Sequence, residues 1–193
     1  MALYTHIATL PRQRGLAMTL LFTTAGALLF VLLTQVKLSL MPLTPVPFTG
    51  SVLAVLLLGG LLGPRLAPAA VAQYLVLGLV GLPVFAGFTG GIGSLPVFTG
   101  GYLLAFVPAA LLYGALYDRF AGGAYAPRAA AALAAGAAAV LVIHLGGWAW
   151  LVGVLHYPPG AALAQGVLPF IPIDAGKVVL AAATVALWPR KAC

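Results

Sequence analysis

The sequence predicts an all-α membrane protein, a single integral membrane domain over residues 1–193 with six transmembrane helices. Three observations carry this. Hydrophobic residues make up 63% of the chain and charged residues 6%, against roughly 25% charged in soluble domains. Such a chain has too few charges to cover a water-facing surface, which excludes a soluble globular enzyme. The apolar stretches do not alternate, as in Leu53-Ala54-Val55-Leu56-Leu57-Leu58. A closed β-barrel needs alternation, so the segments are helices, whose backbone groups are satisfied internally. Finally, seven of the nine basic residues fall on one side of the resulting bundle.

The apolar stretches run roughly 15–35, 50–63, 66–82, 101–117, 128–152 and 170–188. In the first, Arg12 and Arg14 precede an apolar run from Leu16 to Leu33. That run is too long for a signal-peptide core and lacks a small-residue cleavage site, so it reads as a span rather than a leader. The second and third are short and are divided by Gly63-Pro64-Arg65, a turn signal. The fourth follows a long Gly- and Pro-rich loop, and the fifth is dominated by alanine. The sixth opens at Pro172, suited to a first helical turn, and ends near Trp188, an interface anchor.

With the N-terminus in the cytoplasm, Arg12, Arg14, Arg65, Arg119, Arg128, Arg190 and Lys191 all fall inside. Lys37 is left alone outside, and Lys177 lies within a span. This positive-inside asymmetry places both termini in the cytoplasm. The net charge of +7 is spread over single residues, so it orients the bundle and offers no patch for nucleic acid. The one cysteine, Cys193, leaves no internal disulfide or thiolate metal site.

The outer connections, Pro42 to Phe48, Gly81 to Tyr102 and Gly153 to Pro172, are rich in Pro, Gly and aromatics. The middle one is about twenty residues long, and a loop of that length in a compact protein is usually functional. It reads as a lid over an outward-opening pocket, with a loop lying in the headgroup layer as the plainer alternative.

Asp174 and Lys177 are the most informative pair. Their i, i+3 spacing puts them on one helix face, about 21 Å before Trp188 at the helical rise, in the outer part of the membrane. Ionisable groups there are costly. They serve each other as an ion pair, or they serve a ligand carrying N–H groups and a carboxylate or carbonyl. Phe48, Phe85, Phe88, Phe98 and Tyr102 gather on the outer loops and, with that pair, resemble a mostly apolar pocket with a few placed polar groups.

Other chemistries are disfavoured. Gly176-Lys177 is followed by Val178, and Ile171 stands where a phosphate loop has its first glycine, so no ATP hydrolysis is expected. A serine protease would need Ser94 activated by His144 or His156, which read instead as a loop serine and helix-end histidines. With two acids and three histidines, none closely spaced, no metal, cofactor or catalytic residue is expected. Asp118 reads as an inner-loop partner of Arg119 and Arg128.

Several strings are similar to those of a known family. TPVPFT (Thr44 to Thr49), LLGPR (Leu61 to Arg65), YLVLGLVGLPVFAG (Tyr74 to Gly87), TGGY (Thr99 to Tyr102) and the late Asp-x-x-Lys resemble BioY, the biotin-specific substrate-binding (S) component of energy-coupling factor (ECF) transporters. The resemblance runs from about residue 15 to residue 188. It implies an S-component fold of six helices in a bacterial cytoplasmic membrane, with an outward-facing biotin pocket and no enzymatic activity. It also implies partner chains, a transmembrane coupling subunit and ATPase subunits, because this chain has no nucleotide motif. Thr23 and Ala27 are the nearest match to the small residues used for coupling-subunit docking.

The site residues implied are Gly100, Gly101, Tyr102, Asp174 and Lys177, with Thr99, Gly87, Phe85 and Phe48 beside them. Two departures stand out. Phe98 precedes TGGY where proline is frequent, and no Arg lies between Arg65 and Arg119, so carboxylate recognition falls to Lys177 and backbone N–H groups. The other readings are a carrier for another vitamin-like molecule and a non-transporting membrane assembly subunit.

Overall fold

The computed structural model describes residues 12–39, 44–94 and 98–188. Pro42, the Leu95–Val97 part of the long loop, Arg190, Lys191 and Cys193 lie outside them. The architecture is helical. Helix α1 (Arg12–Thr34) leads into a short antiparallel hairpin of β1 (Lys37–Leu38) and β2 (Phe48–Thr49), in which Lys37 pairs with Thr49. Helix α2 (Ser51–Leu79), α3 (Gly100–Phe120) and α4 (Tyr125–Gly153) follow, then the short α5 (Pro159–Gly166) and α6 (Ile171–Leu187). Among the described residues, five helical stretches are long and apolar enough to cross a membrane, the last running from Pro159 to Leu187. The chain is thus built as a multi-pass membrane protein.

The expected segments 50–63 and 66–82 together make α2. Gly63 interrupts it with φ 82° and ψ −178°, outside helical values, and Pro64 follows at once. Contacts with α1 change sense across that break. Before it, Ser51 meets Thr34 through their hydroxyls at 3.0 Å, and Leu58 and Leu62 lie against Gly26. After it, Ala70 lies against Gly26, the Phe30 and Tyr74 rings sit 4.3 Å apart, and Gln35 reaches Val84 and Phe85. The first arm therefore runs against α1 and the second runs with it. Only a residue without a Cβ adopts that φ cheaply.

Helices in a membrane gain nothing by hiding from oil, so close backbone approach through small residues does much of the holding. Tyr113 of α3 packs on Gly59 and Gly60 of α2, and Val185 of α6 packs on Gly60. Gly114 rests on the Gly63–Pro64 backbone, and Gly136 of α4 receives Val178. The alanines of α4 divide by face: Ala132, Ala135 and Ala139 are fully buried.

The long loop is less irregular than expected. A bridge pairs Phe85 with Thr89, a single 3-10 turn covers Ile92–Ser94, and α3 already begins at Gly100. His144 is not at a helix end either; it lies within α4 and is buried.

Candidate ligand-binding site

A cavity of about 320 Å³ lies where the starts of α2, α3 and α6, the middle of α4, the hairpin and the long loop converge. Its size falls in the range of small-molecule pockets. Aromatic and aliphatic side chains form most of its wall, among them Tyr74, Phe85, Tyr102, Phe106 and Phe170.

Polar groups gather at its deep end. Asp174, in the first turn of α6, is 1% exposed and uses both carboxylate oxygens. Lys177 Nζ donates to Oδ1 at 2.7 Å, and His144 Nε2 lies 2.9 Å from Oδ2, the geometry of an N–H donating to a carboxylate. Lys177 Nζ also donates to the Thr49 carbonyl at 2.9 Å, tying α6 to the hairpin. A buried carboxylate is tolerable only when paired and hydrogen-bonded, and here two nitrogen donors meet it. A chain of hydroxyls continues along the wall: Thr49 Oγ1 donates to Ser51 Oγ at 3.0 Å, and Ser51 in turn meets Thr34. The arrangement binds rather than reacts. It offers an acceptor, a cationic donor and flat apolar walls.

The structure sorts the expected residues into three groups. Asp174, Lys177, Tyr102, Thr99 and Phe85 line the cavity. Tyr102 presents its ring, because its hydroxyl donates to the Gly166 carbonyl at 2.6 Å and anchors the end of α5. Phe48 and Gly87 stand one step behind the lining. Phe48 stacks on Phe170 at 4.3 Å and so sets the position of a wall residue. Gly87 lies in the long loop with φ 79°, where a side chain would be strained.

Gly100 and Gly101 correct the sequence reading. They belong to the first turn of α3 and face Trp150 and Gly146 of α4, where a Cβ would collide. Their role is close helix packing, with no place in the cavity lining. The sequence reading carried the outer connection on to Tyr102, whereas the helix already begins at Gly100.

Three contributors were missed. Gln35, just after α1, clamps the long loop: Nε2 donates to the Val84 and Phe85 carbonyls at 3.2 Å, and Oε1 accepts from the Gly87 and Phe88 N–H groups at 3.2 and 3.1 Å. Nothing local marks it. His144 carried a signal, since a lone histidine in an apolar helix must find a polar partner. Lys37, counted only as an outside charge, lines the same cavity. The protease pairing has no support, because His144 is engaged by Asp174.

Fold and site together define a class: a helical multi-pass membrane protein with a small-molecule cavity between its helix ends. The BioY family model matches residues 6–192, and the chain belongs to the BioY family. It is 38% identical over 154 residues to the probable biotin transporter BioY of Pyrococcus horikoshii, covering 79% of this chain and 87% of that one. It is also 38% identical over 141 residues to the biotin transporter BioY of Thermotoga maritima, covering 73% and 79%. In fold it is similar to the crystal structure of the S-component for biotin from an ECF-type ABC transporter. That match has a TM-score of 0.78 at 23% identity and covers 92% of this chain and 93% of that one.

Proposed function

We propose that this chain binds biotin and serves its uptake as the substrate-binding subunit of an ECF-type transporter. The observation that carries the reading is the buried Asp174 at the deep end of an aromatic-walled cavity, held by Lys177 and His144. A ureido ring offers N–H groups that a carboxylate accepts, and a carbonyl to which an ammonium donates. The fused rings then pack against Tyr102, Phe85 and Phe170, with Thr99 at the wall. Phe48 and Gly87 act indirectly, through Phe170 and through the lid.

The same reading places the chain in a bacterial cytoplasmic membrane with six crossing segments, the two arms of α2 counted separately, and both termini inside. The reversal of α1 contacts at Gly63 supports the count, and the basic-residue asymmetry supports the orientation. Energy comes from partner chains, a coupling subunit and ATPases, since Gly176-Lys177-Val178 is no phosphate loop.

Titration calorimetry on the purified protein in detergent tests the site. The double variant Asp174→Asn with Lys177→Met should insert and fold, yet bind biotin at least about thirtyfold more weakly, from about 1–3 kcal/mol for each ligand group left unpaired. If the pair served only itself, its removal would be close to neutral, and near-native biotin affinity in the double variant would sink the assignment.

A further inference from the structure

Lys37 is the second cation of the cavity, and its surroundings differ from those of Lys177. Lys177 is committed twice, to Asp174 and to the Thr49 carbonyl. Lys37 sits in β1 opposite Thr49, is exposed, and lines the cavity at its rim. Its side chain extends along the lid: a Cβ built on Gly87 would lie 3.6 Å from Nζ and 4.0 Å from Cδ. The chain has only two acidic residues to neutralise it. Asp174 is buried between Lys177 and His144. Asp118 is in the last turns of α3, about 24 Å along the helix from the cavity-lining Tyr102 at about 1.5 Å per residue. Lys37 is thus an uncompensated ammonium where the cavity meets the lid.

We infer that Lys37 recognises the carboxylate of the ligand's tail, and so selects the ionised acid over neutral analogues. This rests on the proposed biotin reading and assigns the two ends of the molecule. The burial gradient sets the direction. The uncharged ring system goes to the deep, desolvated end at Asp174, and the ionised tail stays at the wetter rim, where its desolvation cost is smallest. A carboxylate placed instead against Asp174 would set like charges together. The absence of an arginine between Arg65 and Arg119 is met from another element, the hairpin, and Lys177 is left to the ring.

The test compares biotin with biotinamide, an uncharged analogue of nearly the same shape, by calorimetry on the full chain in detergent. Wild type should prefer biotin by tenfold or more, the scale of one charge-assisted hydrogen bond (about tenfold and upward). Lys37→Met should lose that preference by weakening biotin alone, with biotinamide affinity unchanged, and Lys37→Arg should restore it. A preference that survives in Lys37→Met, or an equal weakening of both ligands, would overturn the role of Lys37 while leaving the proposed function standing. Wild type that binds neither compound would overturn the proposed function, and the role of Lys37 with it.

Discussion

The same helices behave differently along their length. Near their starts, α3 and α6 stand apart around the cavity; further along, they close on α2 without a gap. In the open half, Tyr102, Leu103 and Phe106 of α3 face Asp174 and Lys177 of α6 across the cavity. Large rings fill the wall: Phe30 lies 4.3 Å from Tyr74 and 5.6 Å from Phe106, and Tyr74 meets Phe85 edge-on at 5.6 Å. In the closed half, glycine and alanine let backbones touch. Tyr113 covers Gly59 and Gly60, Gly114 rests on the α2 break, and Ala181, Ala182 and Ala186 of α6 are buried. Side-chain size separates the halves: rings and paired polar groups hold helices apart, and missing Cβ atoms draw them together.

The largest expected effect breaks the closed half. Gly114→Val places a branched side chain on the Gly63–Pro64 backbone, which has no free end to swing away. Overpacking of this kind costs about 3 kcal/mol or more. The variant should show a strongly lowered melting temperature or no monodisperse protein on size exclusion. Wild-type behaviour would mean that the two arms of α2 are not held by α3.

A smaller effect separates the glycines that the sequence grouped together. Gly101→Val should lower thermal stability by roughly 2–3 kcal/mol, since it meets the Gly146 carbonyl and Trp150. Gly87→Ala should leave the bundle intact and weaken biotin binding, because about 1–2 kcal/mol of left-handed strain falls on the lid alone. Melting curves with and without biotin separate the two. Equal losses of stability in both variants would make the lid an ordinary structural loop.

The smallest effect concerns the clamp. Gln35→Ala removes four hydrogen bonds to the lid, partly exposed and therefore worth little apiece. Biotin should dissociate about five- to tenfold faster in stopped-flow measurements, with association and melting temperature nearly unchanged. An unchanged dissociation rate would show that the lid does not depend on Gln35.

Local chemistry made much of this legible. Continuous apolar runs can only be helices in a membrane, and Gly63-Pro64 announced a break. A charged i, i+3 pair at a costly depth singled out Asp174 and Lys177, and both line the cavity. The motif strings carried the family. What was not legible depends on pairs distant in the chain. His144 meets Asp174 across thirty residues, and Gln35 meets Gly87 across fifty-two. Gly100 and Gly101 look like loop glycines until Trp150 is seen above them.

The sequence by itself determined the helices, the membrane and the one acid–base pair too expensive to be accidental, because each follows from the solvent a residue must satisfy. Only the tertiary structure decided which glycine packs a helix and which bends a lid, and which polar residues meet at Asp174. It also decided that Lys37 stands at the cavity rim beside the lid. Those outcomes depend on where two distant backbones are brought together, and no local pattern records that.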